Sequence, residues 1–215
     1  MRVGADDSGD GGGAGRGGWS VAVSAGSVCA VRVAAIVLAA GASRRLGRSK
    51  QTVVMGGETL VERAVRVAAE AGLEPVIVVL RADGLVTGLR GCEVVVNALA
   101  DEGMASSIRC GVERARDLGA AGAVVMSCDQ VMLRAEHLVR LCAEVDRVTG
   151  SGYAGKVGIP AYFPAASFAA LMELRGDVGA RELLRGAAAV VDEGLGLDVD
   201  TEQDLARAFG ADGER

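Results

Sequence analysis

From Val33 onward, short uncharged runs of apolar residues alternate with longer segments in which apolar residues recur every three or four positions. The short runs are typical of strands buried on both faces, and the longer segments are typical of amphipathic helices. The predicted strands are Val33–Ala39, Pro75–Leu80, Glu93–Val96, Gly122–Ser127, Ile159–Phe163 and Ala188–Val191. The predicted helices are Leu60–Ala71, Met104–Leu118, Ala135–Val148, Ala165–Leu174, Ala180–Arg185 and Glu202–Phe209.

The first of these helices has recognisable signals at both ends. Thr59 and Glu62 have the spacing of a capping box, and Gly72 and Pro75 mark the end of the helix and the start of the next strand. Uncharged strands that alternate with helices indicate an α/β fold with a mostly parallel sheet covered on both faces. Ligands of such sheets bind beyond the carboxyl ends of the strands, so the loops at that edge are the candidate site.

Composition narrows the classes of function. The net charge of the 215-residue chain is −5 and aromatic residues make up 3% of it, which argues against a nucleic-acid binder. The five cysteines, at positions 29, 92, 110, 128 and 142, include no C-x-x-C pair. This spacing indicates neither a zinc site nor a disulfide framework, and it is typical of a reducing cytoplasm.

The N-terminal segment differs from the rest of the chain. Eight of the first eighteen residues are glycine, and such a segment buries too little apolar surface to offset its ordering entropy. We predict a disordered glycine-rich extension over residues 1–30 and one domain over residues 31–215. The apolar stretch Trp19–Ala42 could suggest a secretory or membrane segment, but the preceding residues are acidic and Arg32 interrupts it. We therefore expect a cytoplasmic protein with no membrane segment.

The loop after the first strand carries the strongest signal for a ligand. It reads LAAGASRRLGRSK from Leu38 to Lys50, with glycines at 41 and 47 and cations at 44, 45, 48 and 50. Glycine-backed amides and clustered cations are suited to a polyphosphate. The loop matches neither G-x-G-x-x-G nor the G-x-x-x-x-G-K-[ST] loop. On charge alone, a solvated basic loop remains an equal alternative.

The sequences of that loop and of several later motifs resemble those of the molybdenum cofactor cytidylyltransferases and guanylyltransferases, a family of MobA-like NTP transferases. The matching segments follow the family's order from Leu38 to Leu205. They are the opening loop with Gln51, E-G-M-A-S-S-I from Glu102, C-D-Q from Cys128, G-I-P-A from Gly158, G-D-V-G-A-R from Gly176, and D-V-D-T with D-L from Asp198. The resemblance implies a three-layer α/β/α, Rossmann-like nucleotidyltransferase domain.

The resemblance also implies a set of functional residues. Arg45, Lys50 and Asp129 would be catalytic, and Mg²⁺ would be held by Asp129 together with Asp200 or Asp198. Magnesium takes oxygen ligands, usually with only one or two carboxylates. Asp129 could instead cap the following helix, and Asp200 could be a loop carboxylate that supports its turn. The nucleotide-binding residues would be Leu38, Ala39, Ala40, Gly41, Ser43, Arg45, Lys50, Ser106 and Ser107.

The remaining motifs are assigned to the acceptor. By resemblance, Gly158, Pro160, Gly176, Asp177, Gly179 and Arg181 would bind the pterin substrate. Asp177 could also cap the helix predicted after it. Ser106 and Ser107, in the first turn of a helix, could border the nucleotide base or could serve as caps on a polar surface.

Two residues with reactive side chains receive no role in catalysis. His137, the one histidine in the chain, lies on a polar stretch and is interpreted as solvated. The cysteines are interpreted as core fillers, and Cys128 has no neighbouring cation in the sequence that would make it a nucleophile.

The sequence departs from the family pattern at two places. Val131 stands where C-D-Q-P has proline, and we expect this change to loosen the loop that carries Asp129. Val54 and Thr59 also stand where prolines are usual, whereas Gly56-Gly57 is kept.

The resulting prediction is a magnesium-dependent enzyme that transfers CMP from CTP to a molybdopterin-type cofactor and releases pyrophosphate, with a molybdenum hydroxylase as the receiver of the product. The double alanine of Leu38-Ala39-Ala40-Gly41 favours cytosine, since the guanylyl members resemble L-A-G-G there. One alternative is the same chemistry on a sugar, polyol or isoprenoid phosphate. Another is a non-catalytic chaperone that delivers the cofactor to the hydroxylase.

Overall fold

A seven-stranded sheet forms the centre of the domain. The structure, a computed structural model, describes residues 31–41, 49–84, 86–177, 179–196 and 203–204. The strands are β1 (Val33–Leu38), β2 (Val54–Met55), β3 (Glu58–Thr59), β4 (Val76–Arg81), β5 (Glu93–Asn97), β6 (Gly122–Ser127), β7 (Thr149–Tyr153), β8 (Lys156–Pro164) and β9 (Ala188–Val191). The α-helices are α1 (Leu60–Glu70), α2 (Met104–Asp117), α3 (Ala135–Leu141) and α4 (Phe168–Met172). Short 3₁₀ helices span Lys50–Thr52, Ala100–Glu102, Ala165–Ser167 and Glu193–Gly196.

The strand order in the large sheet is β5-β4-β1-β6-β8-β7-β9. Strands β5, β4, β1 and β6 pair in parallel, β8 pairs antiparallel with both β6 and β7, and β7 pairs in parallel with β9. The prediction of a mostly parallel sheet is therefore confirmed. Because β8 is reversed, its early residues lie at the edge where the parallel strands end.

The core has one apolar layer on each face of the sheet. Along β1, Ala35 and Val37 pack in the layer that contains residues of α1 and α3, whereas Ala34 and Ile36 pack in the layer that contains residues of α2 and α4. This division follows from the alternation of side chains along a strand. It produces the predicted three-layer α/β/α arrangement.

A third, smaller apolar cluster lies beside the main core. Its buried members are Val53, Met55, Leu60 and Val131. Strands β2 and β3 form a hairpin through Gly56-Gly57, where both glycines have positive φ, 60° and 89°. Such a turn suits glycine because it has no Cβ. The cluster thus joins the chain just after Lys50 to the start of α1 and to the loop after β6.

Helix α1 confirms the prediction made from its capping box. Thr59 accepts a hydrogen bond from the Glu62 amide, and the Glu62 carboxylate accepts one from the Thr59 amide at 2.8 Å. The helix predicted over Ala135–Val148 is wrong in its second half, since α3 ends at Leu141. The hydroxyl of Tyr162 donates to the Val145 carbonyl at 2.7 Å, which ties this segment to the sheet instead of letting the helix continue.

The C-terminal part of the chain contains further differences. The helix predicted over Ala180–Arg185 is a series of turns, bounded by Gly179 and Gly186 with positive φ. Ala165–Leu174 contains a 3₁₀ turn and the five-residue helix α4. Strand β7 was not among the predicted strands, because its Thr-Gly-Ser-Gly-Tyr sequence lacks an apolar strand pattern. Most of the predicted helix Glu202–Phe209 lies outside the described residues.

Three remaining observations concern membrane-spanning helices, one hairpin turn and the N-terminal segment. None of the helices in the described part of the chain is long and apolar enough to cross a membrane. The turn between β7 and β8, at Ala154-Gly155, has positive φ at both residues, 49° and 68°. The predicted extension over residues 1–30 lies outside the described residues and stays a prediction.

Candidate active site

A cavity of about 460 Å³ opens at the carboxyl ends of β1, β4 and β6. Ligands of parallel α/β sheets bind at this edge. The start of α2 and one residue of β8 complete its wall. The lining residues are Leu38, Ala39, Ala40, Gly41, Lys50, Gln51, Arg81, Ala100, Asp101, Gly103, Met104, Ser107, Ser127, Cys128, Asp129, Ile159 and Asp177.

Lys50 and Asp129 meet in this cavity, although 79 positions separate them in the sequence. The Lys50 ammonium donates to Asp129 Oδ2 at 2.9 Å, and the two side chains are 17% and 16% exposed. The hydroxyl of Ser127 donates to the other carboxylate oxygen, Oδ1. Helix α3 begins only at Ala135, with Arg134 at its N-cap, so the alternative that Asp129 caps this helix is wrong.

The structure describes only some of the other residues that were predicted to bind the nucleotide. Leu38, Ala39, Ala40 and Gly41 line the cavity, and their role in binding a nucleotide stays a prediction. Ser43 and Arg45 lie outside the described residues, so their roles stay predictions.

Ser106 and Ser107 occupy the first turn of α2, but the interpretation as surface caps is wrong. They are 2% and 5% exposed, and Nδ2 of Asn97 donates to both hydroxyls, at 2.8 Å and 3.0 Å. Ser107 also lines the cavity. Asn97, at the end of β5, therefore anchors the wall where the nucleotide base was expected.

The predicted acceptor segment contacts the start of α2. Asp177 Oδ1 accepts a hydrogen bond from the Met104 amide at 3.3 Å, and the Gly176 carbonyl accepts one from the Ala105 amide at 3.0 Å. The alternative that Asp177 caps a helix after it is wrong, because the chain there forms turns. It caps α2 instead, a helix 73 positions earlier in the sequence.

Gly103 allows this contact. Its φ and ψ are 104° and −177°, and a Cβ there would lie 2.3 Å from Asp177 Oδ1 and 2.6 Å from the Gly176 carbonyl carbon. A side chain at this position would therefore collide with the Gly176–Asp177 segment.

The other residues that were predicted to bind the acceptor substrate do not line the cavity. Gly158 and Pro160 flank Ile159, which lines the cavity, but neither of them lines it. Gly179 packs against Met104, since a Cβ on it would lie 2.9 Å from the Met104 sulfur. Arg181 is exposed and does not line the cavity. The structure thus brings Asp177 together with Lys50 and Asp129, and it does not bring Arg181 there.

Arg81 is a cavity residue that the sequence analysis missed. It ends β4, and its guanidinium donates to Asp83 through Nε and to Asp101 through an Nη atom, each at 3.0 Å. These hydrogen bonds raise the pKa of Arg81 above its usual value. Its position directly after the predicted strand Pro75–Leu80 was the available signal, since that end of the strand faces the binding edge.

Val131 is held more firmly than its replacement of a family proline suggested. Its side chain is 2% exposed within the third apolar cluster, and its carbonyl accepts hydrogen bonds from Nε and an Nη of Arg63 at 3.1 Å and 2.8 Å. These contacts restrain the loop that carries Asp129, and the effect of replacing the family proline stays a prediction.

His137 and Cys128 have no role as nucleophile or base in the cavity. His137 was interpreted as solvated, which is wrong. It is 3% exposed, its Nε2 lies 2.8 Å from the Ser151 hydroxyl, and burial lowers its pKa. Cys128 does line the cavity, but burial raises the pKa of its thiol and Asp129 adds to this effect, which favours the unreactive neutral form.

The donor set for a metal ion is incomplete within the described residues. They contain no group of three or more His, Cys, Asp or Glu side chains placed to hold a metal. The other two predicted ligands, Asp198 and Asp200, lie outside them. Asp129 alone fits one part of a magnesium site, because Mg²⁺ usually binds one or two carboxylates together with substrate phosphates.

Two known proteins are similar in sequence to this chain over most of its length. The chain is 32% identical over 193 residues to the purine catabolism protein PucB of Bacillus subtilis, covering 80% of this chain and 94% of the relative. It is 33% identical over 168 residues to a probable molybdenum cofactor guanylyltransferase of Opitutus terrae, covering 77% and 82% of the two chains.

A solved structure has the same fold. The crystal structure of Rv0371c from Mycobacterium tuberculosis superimposes with a TM-score of 0.71 at 29% identity, covering 84% of this chain and 99% of that one. Rv0371c has also been solved as a complex with manganese, with a TM-score of 0.68 at 27% identity and the same coverage. The model of the MobA-like NTP transferase domain matches residues 35–192, and the chain belongs to this family.

Proposed function

We propose that this protein is a magnesium-dependent nucleotidyltransferase that transfers CMP from CTP to a molybdopterin-type cofactor and releases pyrophosphate. The observation that carries the proposal is the Lys50–Asp129 pair, which faces a nucleotide-sized cavity at the carboxyl edge of the sheet. Membership of the MobA-like family supports nucleotidyl transfer. The name of the Opitutus terrae relative supports a molybdenum cofactor as the acceptor.

The proposed reaction is an in-line displacement at phosphorus. An oxygen of the acceptor's terminal phosphate forms a bond to the α-phosphorus, and the bond from that phosphorus to the bridging oxygen breaks. Pyrophosphate leaves with the bridging oxygen. Lys50 supplies a mobile positive charge for the triphosphate, and Arg45 is proposed to supply a second. Positioning and neutralisation of charge carry most of the rate, so no covalent enzyme intermediate is needed.

The carboxylate of Asp129 is the proposed magnesium ligand, with Asp200 and Asp198 as further ligands. When bound, magnesium neutralises phosphate charge and aligns the triphosphate. The manganese complex of Rv0371c supports a divalent ion in this fold. Ser127 orients the carboxylate from one side, and Lys50 holds it from the other.

Ala40 is the residue proposed to favour cytosine. It is 5% exposed and lines the cavity. In this proposal its methyl group takes space that a purine would need. GTP is the second candidate, because the Opitutus terrae relative is named a guanylyltransferase. We expect Ala40→Gly to shift the ratio of kcat/KM values for GTP and CTP at least about 10-fold toward GTP, the size of effect that one methyl group has in a pocket. An unchanged ratio would remove Ala40 from the proposal.

Pyrophosphate release from each NTP, with magnesium and with or without molybdopterin cofactor, tests the activity itself. We expect release from CTP that requires the cofactor and falls at least about 100-fold in Asp129→Ala, because a divalent ion and the Lys50 position both depend on this carboxylate. Asp117→Ala is the matched control. Asp117 is exposed at the far end of α2, about 20 Å along a helix of this length.

Two other outcomes would replace the proposal. Binding of cofactor and nucleotide without turnover would indicate a chaperone that delivers the cofactor to a molybdenum hydroxylase. Release of pyrophosphate with a sugar, polyol or isoprenoid phosphate, but not with molybdopterin, would indicate another acceptor. The position of Asp177 in the cavity supports the pterin acceptor, because its segment is the one that resembles the family's pterin-binding motif.

A further inference from the structure

Arg63 connects helix α1 to the loop that carries Asp129. Its side chain is 22% exposed, and two of its N–H groups converge on one acceptor, the Val131 carbonyl, at 3.1 Å and 2.8 Å. A third nitrogen lies 3.6 Å from a Glu58 carboxylate oxygen. Two donors from one planar guanidinium that share a single carbonyl oxygen restrain the position of that carbonyl.

Val131 transmits this restraint to Asp129. Its amide donates to the Asp129 carbonyl at 3.1 Å, a hydrogen bond that a proline at this position could not make. Val131 is therefore held through its carbonyl by Arg63 and bonded through its amide to Asp129.

The same small region also fixes Lys50. Val53, three residues after Lys50, packs in the third apolar cluster with Met55, Leu60 and Val131. The Val53 amide donates to the Lys50 carbonyl at 3.0 Å. The chain segments of Lys50 and Asp129 thus meet through one apolar cluster, and Arg63 holds the edge of that cluster.

We infer that Arg63 is a positioning residue that sets the geometry of the Lys50–Asp129 pair through the Val131 carbonyl. Its removal leaves that carbonyl without its two charge-assisted hydrogen bonds, in a loop whose neighbouring side chains are buried. The loop then relaxes, and the carboxylate moves relative to the ammonium. Displacements of about 1 Å at such a site reduce turnover about 100-fold. This inference rests on the proposed function for its kinetic consequence, but not for its structural one.

Arg63→Ala is the test variant, and Arg66→Ala is its matched control. Both arginines lie on α1 and pair with Glu58, but Arg66 contacts Glu58 and Glu70, not the Asp129 loop. In pyrophosphate release from CTP with the molybdopterin acceptor, we expect Arg63→Ala to lower kcat about 10- to 100-fold with a KM for CTP within about threefold. Arg66→Ala is expected to stay within about twofold. Arg63→Lys keeps a positive charge that can donate to the carbonyl but lacks the planar pair of donors, so its kcat should lie between those of wild type and Arg63→Ala.

Two measurements do not depend on turnover. The first is hydrogen exchange of the amides at 131–133, which should become at least about tenfold faster in Arg63→Ala and remain unchanged in Arg66→Ala. The second is the Kd of Mn²⁺ in the presence of CTP, followed by electron paramagnetic resonance. We expect this Kd to rise at least about fivefold in Arg63→Ala only, because the carboxylate ligand is displaced.

The outcomes separate this inference from the proposed function. Faster exchange and weaker Mn²⁺ binding in a protein without CTP turnover would retain the inference and reject the function. Normal exchange and normal Mn²⁺ affinity in Arg63→Ala would overturn the inference, whatever the activity. An equal loss in Arg63→Ala and Arg66→Ala would also overturn it, because a general weakening of α1 would then explain both.

Discussion

Replacing Gly103 by alanine should detach the Gly176–Asp177 segment from the start of α2. At φ 104° and ψ −177° the backbone is in a region used almost only by glycine, and the strain on another residue is about 1–3 kcal/mol. The new Cβ would also lie 2.3 Å from Asp177 Oδ1, so the two hydrogen bonds from the amides of Met104 and Ala105 would be lost. At about 0.5–1.5 kcal/mol for each bond, the total loss in free energy of unfolding is about 2–6 kcal/mol.

Urea unfolding measures this loss, and Gly119→Ala is its control. Gly119 follows the other end of α2 with φ 72°, and a Cβ there meets nothing within 4 Å, so only strain of roughly 1–2 kcal/mol is expected. Asp177→Ala should destabilise the wild-type protein by about 1 kcal/mol. It should add almost nothing in the Gly103→Ala background, because both changes remove the same contact. A Gly103→Ala protein no less stable than Gly119→Ala, or full additivity with Asp177→Ala, would refute the reasoning.

Three further changes test other parts of the structure. Gly111→Ala should destabilise the fold by about 1–3 kcal/mol in urea unfolding, because a Cβ there would lie 2.3 Å from Cγ2 of Ile36; an unchanged midpoint would contradict this packing of α2 on β1. Thr59→Ala should reduce the free energy of unfolding by about 1 kcal/mol through loss of the N-cap, and a loss below a few tenths would show that the cap contributes little. Burial lowers the pKa of His137 despite the opposing effect of Asp192, so the unfolded chain binds the proton first and stability should fall as pH drops below about 6.5. In His137→Asn that part of the pH dependence should disappear from urea titrations at pH 5–7.5, and an unchanged slope would contradict the assignment.

Strands and helices with strong local signals could be predicted from the sequence. Strand β1 and the first five residues of β4 are uncharged runs of Val, Ile, Leu and Ala, and α1 has a capping box that the structure reproduces. Strand β7 could not be predicted in this way, because Thr149–Tyr153 consists mainly of small residues whose strand conformation depends on pairing with β8 and β9. Local preference gives no sign of partners that lie far along the chain.

Contacts between segments that are distant in the sequence also limited what could be predicted of the site. The position of Lys50 and Asp129 at the binding edge follows from the rule for parallel sheets, and their contact at 2.9 Å agrees with it. The role of Asp177 could not be predicted, because its partner amide belongs to a helix that begins 73 residues earlier. The burial of His137 likewise depends on Ser151, a residue of the strand that the sequence did not reveal.

The reversed direction of β8 has a consequence for how this domain can diversify. The β7–β8 turn at Ala154-Gly155 lies at the edge of the sheet where the parallel strands end, and both residues are exposed. Exposed turn tips tolerate insertions with little loss of stability. An insertion in this hairpin would therefore add chain at the edge of the sheet that also carries the Lys50–Asp129 pair, while strands β1 and β6 keep their pairing.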